Sequence, residues 1–193
     1  MFLRLERQAH ALSEVDPVSG EFNPPLPDFR ALMKYHLNPQ PLELKLQPGR
    51  PSPLCSPSLG ASVLRILAAP NKSDSSAVSP NTNIKFDITT VHEAVQFAIN
   101  QEPTVTRNGH SMGGDEVLYG RAGLLWALAN IDGHDVDTET GRALQPVLEL
   151  KLKLRNAIID AGKRGLEEYE KVHGETEWPL MWPWIDGYYG LGA

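Results

Sequence analysis

Apolar residues in the second half of the chain recur with the period of amphipathic helices. In the segment TTVHEAVQFAIN, Thr90 and Glu93 have the spacing of a helix N-cap and the acidic partner of a capping box. The apolar residues that follow recur at intervals of three and four: Val91, Ala94, Val95, Ala98 and Ile99. The pattern therefore predicts an amphipathic helix that is capped at Thr90.

Two further stretches downstream have the same periodicity. The first starts near Asp115, where an acidic pair suits the positive end of a helix dipole, and it ends near Asn130. The second, ALQPVLELKLKLRNAIIDAGKRG, contains Pro146, which a helix tolerates only in its first turn. Its LELKLKL portion also alternates like a strand, but the whole segment exceeds ordinary strand length, so a helix is favoured. The residues LEEYEKVHG either extend this helix or form another after Gly165.

Proline divides the chain into two unlike parts. Ten of the 16 prolines fall between Pro17 and Pro57, and proline at that density breaks helices and removes backbone donors. We therefore expect residues 1–59 to form a mostly irregular N-terminal arm and residues 60–193 to form the folded domain. Within that domain, the polar tract 70–83 is predicted to be a loop. The short apolar stretch LGASVLRILAAP before it fits either a helix or a strand.

Composition limits the classes of function. The chain of 193 residues has 41% hydrophobic residues and a formal charge of -6, without the clustered positive face typical of nucleic-acid binders. A single cysteine, Cys55, rules out an internal disulfide framework and any site that needs two thiolates. No stretch reaches the length of a membrane span and the N-terminus lacks the apolar region of a signal peptide, so we expect a cytoplasmic protein.

The pentapeptide GHSMG, residues 109–113, matches the nucleophile elbow of serine hydrolases. An elbow requires a buried strand immediately before the serine, and the preceding residues NQEPTVTRN, with Pro103 among them, predict no core strand. The two downstream histidines, His134 and His173, lie in polar, turn-like surroundings and are weak candidates for a catalytic triad. A serine hydrolase that uses Ser111 is therefore the least favoured alternative.

Two motifs resemble segments of one known family. DEVLYGRAGLLWALANI, residues 115–131, resembles the LLYGRAG segment of eukaryotic lanthionine synthetase C-like (LanC-like) proteins, which begins an inner helix of their barrel. WPLMWPWIDGYYGLGA, residues 178–193, resembles the family's later segment with the pattern PLM, aromatic, W, YY, G, A. The resemblance covers residues 110–193 well, residues 60–109 in part and the proline-rich beginning hardly at all.

The resemblance implies an all-α fold, an incomplete α/α toroid of the six-hairpin type, in which inner helices converge on a cavity. Gly120 and Gly123 would remove Cβ atoms where this crowding is greatest. Arg121 would reach a carboxylate of a ligand or, as we favour, form a salt bridge between repeats. Glu116 lies near the position of an acidic residue in the active cavity of bacterial members, so it either takes part in proton transfer or stabilises the helix N-terminus.

Aromatic residues in both motifs are expected to be packing residues rather than ligand contacts. Tyr119 and Trp126 belong to the first motif, and Gly190 is the small residue that follows the tyrosine pair of the second. The second motif's aromatic cluster is predicted to fill space between helical hairpins: Trp178, Trp182, Trp184, Tyr188 and Tyr189.

The family's chemistry is the addition of a thiol to dehydroalanine or dehydrobutyrine, with zinc held by two cysteines and a histidine. The thiol comes from a peptide cysteine or from glutathione, so the resemblance implies glutathione and dehydrated peptides as partners. All three zinc ligands belong to the family's C-terminal half, and we expect this chain to be an N-terminal part that binds no zinc and is inactive alone. A non-catalytic scaffold that binds glutathione or peptide is the alternative.

The histidines of this chain show no spacing with Cys55 that would indicate a metal site, and each is predicted to be an ordinary surface or cap residue: His10, His36, His92, His110, His134 and His173.

Overall fold

The computed structural model describes residues 44–69, 84–102 and 104–190. This part of the chain is mostly helical, as predicted, and also contains short antiparallel strands. Predictions for the first 43 residues, for His10 and His36, for the polar tract 70–83 and for Pro103 lie outside it. Its helices are α1 Pro57–Ala68, α2 Ile84–Ile99, α3 Arg121–Ile131, α4 Glu139–Glu149 and α5 Lys151–His173.

The helices share one apolar core. α1 packs against α2, α2 packs against α4 and α5, and α3 packs against α1 and α5. Fully buried aliphatic side chains from all five helices fill the space between them: Leu59, Ile66, Val91, Leu124, Leu128, Leu144 and Leu154. Leu44 and Leu46 also pack against this core, so the irregular residues before α1 belong to the same compact unit as the helices.

The beginning of the folded unit differs in detail from the sequence prediction. The open choice for LGASVLRILAAP is settled as a helix, α1, with Pro57 in its first turn. The capping box at Thr90 is wrong, because α2 already includes Ile84 and Thr90 is buried inside it. The helix extends further back because Asp87 on its buried face pairs with Arg65 of α1, at 2.5 and 2.8 Å.

The start of α3 also differs from the prediction. The helix begins at Arg121 rather than near Asp115, because the preceding residues form a turn. Two backbone hydrogen bonds of 2.8 Å close this turn, from Gly120 N to Glu116 O and from Arg121 N to Gly114 O.

The segment ALQPVLELKLKLRNAIIDAGKRG, predicted as one helix, is divided between two helices. Thr138 caps α4 by accepting the Gly141 N–H at 2.9 Å. The helix is interrupted at Leu150, and α5 begins at the next residue. Pro146 therefore lies inside α4 and not in a first turn, which corrects the prediction. Because proline has no N–H, the last turns of α4 lack one hydrogen bond, which favours the nearby break. α5 continues through LEEYEKVH and ends before Gly174, whose φ is +87°.

Two small antiparallel sheets accompany the helices. β1 Thr104–Arg107 pairs with β2 His110–Gly113, and β3 Trp182–Pro183 pairs with β4 Tyr189–Gly190. β1 is short and partly exposed, so it is no core strand. A bridge between Met112 and Ile185 joins the two sheets.

Within the described ranges, no helix is both long and apolar enough to cross a membrane.

Candidate functional site

Residues 114–120, the turn before α3, carry the acidic residues of the first family-like motif. The Glu116 carboxylate accepts the backbone N–H groups of Leu118 at 3.3 Å and Tyr119 at 2.6 Å. These are the contacts of a side chain that stabilises a turn leading into a helix. Of the two roles left open by the sequence, the geometry of Glu116 matches this structural one.

Arg121 and Asp115 form a buried ion pair across the turn. Nε of Arg121 donates to Oδ1 of Asp115 at 2.5 Å and Nη2 donates to Oδ2 at 2.8 Å, while Nη1 reaches the carbonyl of Gln101 at 3.4 Å. The two side chains are only 2% and 4% exposed. Arg121 thus meets a carboxylate, but one from its own turn rather than from a neighbouring repeat or a ligand.

The Asp115 carboxyl experiences opposing electrostatic effects. Burial raises its pKa, whereas the hydrogen bonds and charge of Arg121, and the charge of Arg164 on α5, act to lower it. The net direction is upward, so the charged form of this carboxylate depends on its cationic neighbours. The pair is therefore polar, buried and satisfied within the chain itself.

Gly120 and Gly123 allow close backbone contacts around the turn. A Cβ at Gly120 would lie 2.5 Å from the carbonyl oxygen of Gly114, and one at Gly123 would lie 1.9 Å from that of Val117 and 2.2 Å from Oγ of Ser52. No side chain fits at such distances. The predicted crowding at both glycines is present, and it arises from the preceding turn and from the segment that contains Ser52.

That segment, residues 50–55, covers the turn. Ser52 donates its N–H to Tyr119 O at 2.9 Å and its hydroxyl to Val117 O at 3.0 Å. The Arg50 guanidinium lies 4.3 Å from the centre of the Tyr119 ring, a cation–π contact. Cys55 is partly buried beside it, and burial raises the pKa of its thiol, which disfavours the reactive thiolate.

The second family-like motif packs on α5 through Trp182 and the neighbouring backbone of Met181. Nε1 of Trp182 donates to the carbonyl of Ile158 at 2.9 Å, and its ring occupies the space that a Cβ at Gly162 would enter. A Cβ at Gly165 would lie 2.1 Å from the carbonyl oxygen of Met181. The small residues of α5 therefore permit this docking.

The expectation that aromatic residues fill space holds for only some of them. Tyr189 makes an edge contact with Tyr169 of α5 at 5.6 Å between ring centres. Tyr119 is exposed, but Arg50 lies over its ring. Four others are exposed on the surface of the described part of the chain: Trp126, Trp178, Trp184 and Tyr188. Gly190 lies in β4, with open space where its Cβ would be.

The second family-like motif contacts β2, which lies just before the first motif in the sequence, although residues 132–177 separate the two motifs. Gly113, two residues before the first motif, donates its N–H to the carbonyl of Trp184 at 2.7 Å. Asp186 accepts the Ser111 N–H at 3.0 Å and lies 2.7 Å from Nδ1 of His110. Sequence reasoning missed both His110 and Asp186 as a pair, since no short-range pattern connects them.

The surroundings of Ser111 do not form a nucleophile elbow. Ser111 is exposed in β2 of a hairpin, and the chain continues as strand and turn rather than entering a helix. His110 and Asp186 provide an imidazole–carboxylate pair next to it, but adjacent residues of a strand point to opposite faces. The Ser111 hydroxyl has no hydrogen-bond partner in the described part of the chain, so a triad is not assembled.

The residues present do not fit the zinc site that the resemblance implies. That site needs two cysteines, and the sequence contains only Cys55. In the described ranges, no three His, Cys, Asp or Glu side chains are grouped so as to hold a metal ion. His134 differs from the predicted surface histidines because it is buried, and its Nδ1 has no partner among the described residues.

Comparisons of the chain with protein-family models, with curated proteins and with solved structures gave no match.

Proposed function

We propose that this chain is part of a LanC-like protein, whose complete form adds the thiol of glutathione or of a peptide cysteine to dehydroalanine or dehydrobutyrine residues. In this proposal the described helices are hairpin elements of an α/α toroid. The observation that carries the proposal is the contact between the second family-like motif and β2, the strand that ends two residues before the first motif. Gly113 of β2 donates its N–H to the carbonyl of Trp184 in the second motif, so the second motif packs beside the chain that leads into the first.

The zinc ligands of the proposed complete protein lie outside this chain, because its residues cannot supply two cysteines. Zinc in such a site lowers the pKa of a bound thiol and so supplies the nucleophile. In this proposal the residues of the first motif have a structural role at the start of α3. Asp115 and Arg121 fix the start of α3, and Gly123 lets the 50–55 segment close over it.

The test uses the protein as cells make it. An antibody raised against residues 151–173 is used to purify the native protein, which is then incubated with glutathione and a dehydroalanine peptide. We expect mass spectrometry to detect the thioether adduct and a zinc chelator to abolish it. The recombinant 193-residue chain is the matched control and should form no adduct above the uncatalysed rate. Failure of the native protein to form the adduct would contradict the enzyme proposal.

A non-catalytic scaffold is the second candidate, and one observation favours it. The charged residues of the first motif all have structural partners: Asp115 and Arg121 pair with each other, and Glu116 accepts two backbone N–H groups. Calorimetry with glutathione is therefore combined with the adduct assay. A scaffold would bind glutathione without producing the adduct, whereas the enzyme would do both.

A further inference from the structure

An open groove of about 630 Å³ lies between the end of α2 and the strand β1. Gln96, Phe97 and Asn100 of α2 line one side, and Thr104–Thr106 of β1 line the other. Alternate residues of a strand point to opposite faces, so three consecutive lining residues indicate that the edge of β1 borders the groove. The groove therefore gives access to strand backbone as well as to side chains.

The register of the hairpin shows which backbone groups face outward. Arg107 and His110 flank a two-residue turn, so they form the hydrogen-bonded pair, and the next pair, Thr106 and Ser111, is not hydrogen-bonded. The N–H and C=O groups of Thr106 and Thr104 must then point away from β2. Across the described residues, none of these groups makes a backbone hydrogen bond on the outer edge.

The opposite edge of the hairpin shows what such groups do when a partner is present. Ser111 and Gly113 occupy the equivalent outward positions of β2. Gly113 donates its N–H to Trp184 O, and the carbonyl of Ser111 accepts the N–H of Asp186 at 2.8 Å. One edge of this hairpin is therefore paired with an extended segment, while the edge at the groove has no such partner within residues 44–69, 84–102 and 104–190.

The side chains of the groove add further preferences. Gln101 accepts the Gly49 N–H through Oε1, but its buried Nε2 has no hydrogen-bond partner in the residues that the structure describes. Because that nitrogen is not accessible to solvent, it is not exposed to an occupant of the open groove. Glu102 is the charged residue among the described lining residues, which favours a basic group in the occupant. Phe97 supplies an apolar contact.

We propose that this groove binds an extended, basic peptide segment of another protein, which adds a strand to the free edge of β1. The exposed N–H and C=O groups of Thr104 and Thr106 would pair with the peptide backbone, and Glu102 would attract its basic side chain. The volume is in the range of sites that hold a small ligand or a short peptide segment, and it is too small for a folded domain. This inference goes beyond the proposed function and does not rest on it.

The probe for the test is a fluorescein-labelled peptide of alternating lysine and valine, KVKVKV. We expect a saturable rise in fluorescence anisotropy with the full chain, and weaker binding of the acidic peptide EVEVEV. A KVKVKV peptide that is N-methylated at every residue should not bind, because neither edge of the extended peptide then keeps the backbone donors needed for strand pairing. Equal binding of the methylated peptide would overturn the proposal.

Two variants test the strand edge itself. Thr106→Pro removes an outward N–H that the β1–β2 ladder does not use, so the hairpin should remain and peptide binding should be lost. Thr106→Ala keeps the N–H and should bind like the unsubstituted chain. Retained binding by Thr106→Pro would contradict strand addition.

Hydrogen exchange in the unsubstituted chain tests the same point without relying on a variant that folds. The amides of Thr104 and Thr106 should exchange rapidly in the free chain and at least about tenfold more slowly with saturating KVKVKV. The Val105 amide, which faces β2, should be slow in both states. Unchanged exchange at Thr104 and Thr106 would overturn the proposal. Protection that appears without peptide and increases with protein concentration would also overturn it, because it would identify a second copy of this chain as the occupant.

Discussion

Asp115 and Arg121 form a two-point ion pair inside the protein, although only six residues separate them. The pair joins the turn to the first residue of α3, and both side chains are almost completely buried. Such a pair requires a non-helical turn between its members, because residues six apart on a helix do not face each other. Its main effect is to define where α3 begins.

Removal of one member of this pair should destabilise the protein strongly. Arg121→Met leaves the Asp115 carboxylate buried without a partner, and we expect a loss of about 3–5 kcal/mol in the free energy of unfolding at pH 7. Denaturant unfolding measures this loss. The double variant Asp115→Leu/Arg121→Met should be much less destabilised, because it leaves no buried charge. Equal losses in the single and double variants would contradict the ion-pair explanation.

The loss of stability caused by Arg121→Met should be smaller in acid than at neutral pH. Burial already raises the pKa of Asp115, and removal of Arg121 takes away the strongest opposing effect. A carboxyl whose pKa is raised by folding is best accommodated when protonated, so its destabilising effect grows as the pH rises through the folded-state pKa. We therefore expect the difference in unfolding free energy between this variant and the original chain to be smaller at pH 4 than at pH 7. A loss that is independent of pH would contradict this prediction.

Gly123 should not tolerate a larger residue. Alanine normally favours a helix over glycine by up to about 1 kcal/mol, but a Cβ here would lie 1.9 Å from the carbonyl oxygen of Val117. We expect Gly123→Ala to destabilise the protein by about 1–3 kcal/mol in denaturant unfolding. Gly133→Ala is the control, because the nearest atom to a Cβ there is 3.8 Å away, the carbonyl oxygen of Asn130. Equal stability of the two variants would contradict the close-contact explanation.

The existence of most helices followed from sequence periodicity, but their ends did not. A helical face is visible in spacings of three and four residues, whereas its ends depend on tertiary contacts. Thr90 has the sequence of a cap and lies inside α2, because Asp87 pairs with Arg65 and extends the buried face backward. Asp115 has the sequence of a helix start and instead forms part of a turn.

Both hairpins were missed, although the sequence contains a signal for each. Asn108 and Gly109 have φ of 50° and 81°, and Asp186 and Gly187 have φ of 47° and 85°. Asn-Gly and Asp-Gly are the dipeptides that favour such two-residue turns. The flanking strands are only four residues long in the first hairpin and two in the second, too short for a pattern of alternating apolar residues to predict them. These dipeptides predict the turns, but not the contact between the hairpins.

Trp182 should be the tryptophan of the second motif that matters for stability. Trp182→Phe keeps an aromatic ring over Gly162 but removes the hydrogen bond to the Ile158 carbonyl, so we expect a loss of about 0.5–1.5 kcal/mol in unfolding free energy. Trp184→Phe is the matched control at an exposed position and should change stability by less than about 0.5 kcal/mol. The reverse order of the two losses would contradict the proposed docking on α5.

Asp186 should titrate at an unusually low pH and report on the contact between the hairpins. The hydrogen bond from His110 lowers the pKa of its carboxyl below the ordinary value of about 3.9, and the Ser111 N–H acts in the same direction. A carboxyl with a lowered folded-state pKa stabilises the contact at pH values above its ordinary pKa, and this contribution is lost as the pH falls through the folded-state pKa. The Ser111 amide chemical shift, followed by NMR, should therefore change with a midpoint below 3.9.

Two substitutions separate the contributions to this titration. His110→Ala removes the larger cause and should move the midpoint at Ser111 upward, toward the ordinary aspartate value. Asp186→Asn should abolish the titration while keeping the turn, since asparagine also adopts the positive φ of this position. If the midpoint stayed unchanged in His110→Ala, the imidazole would not be the group that holds the Asp186 carboxylate. The same result would separate His110 from the contact between β2 and the second family-like motif, leaving the Ser111 and Gly113 backbone groups as its main support.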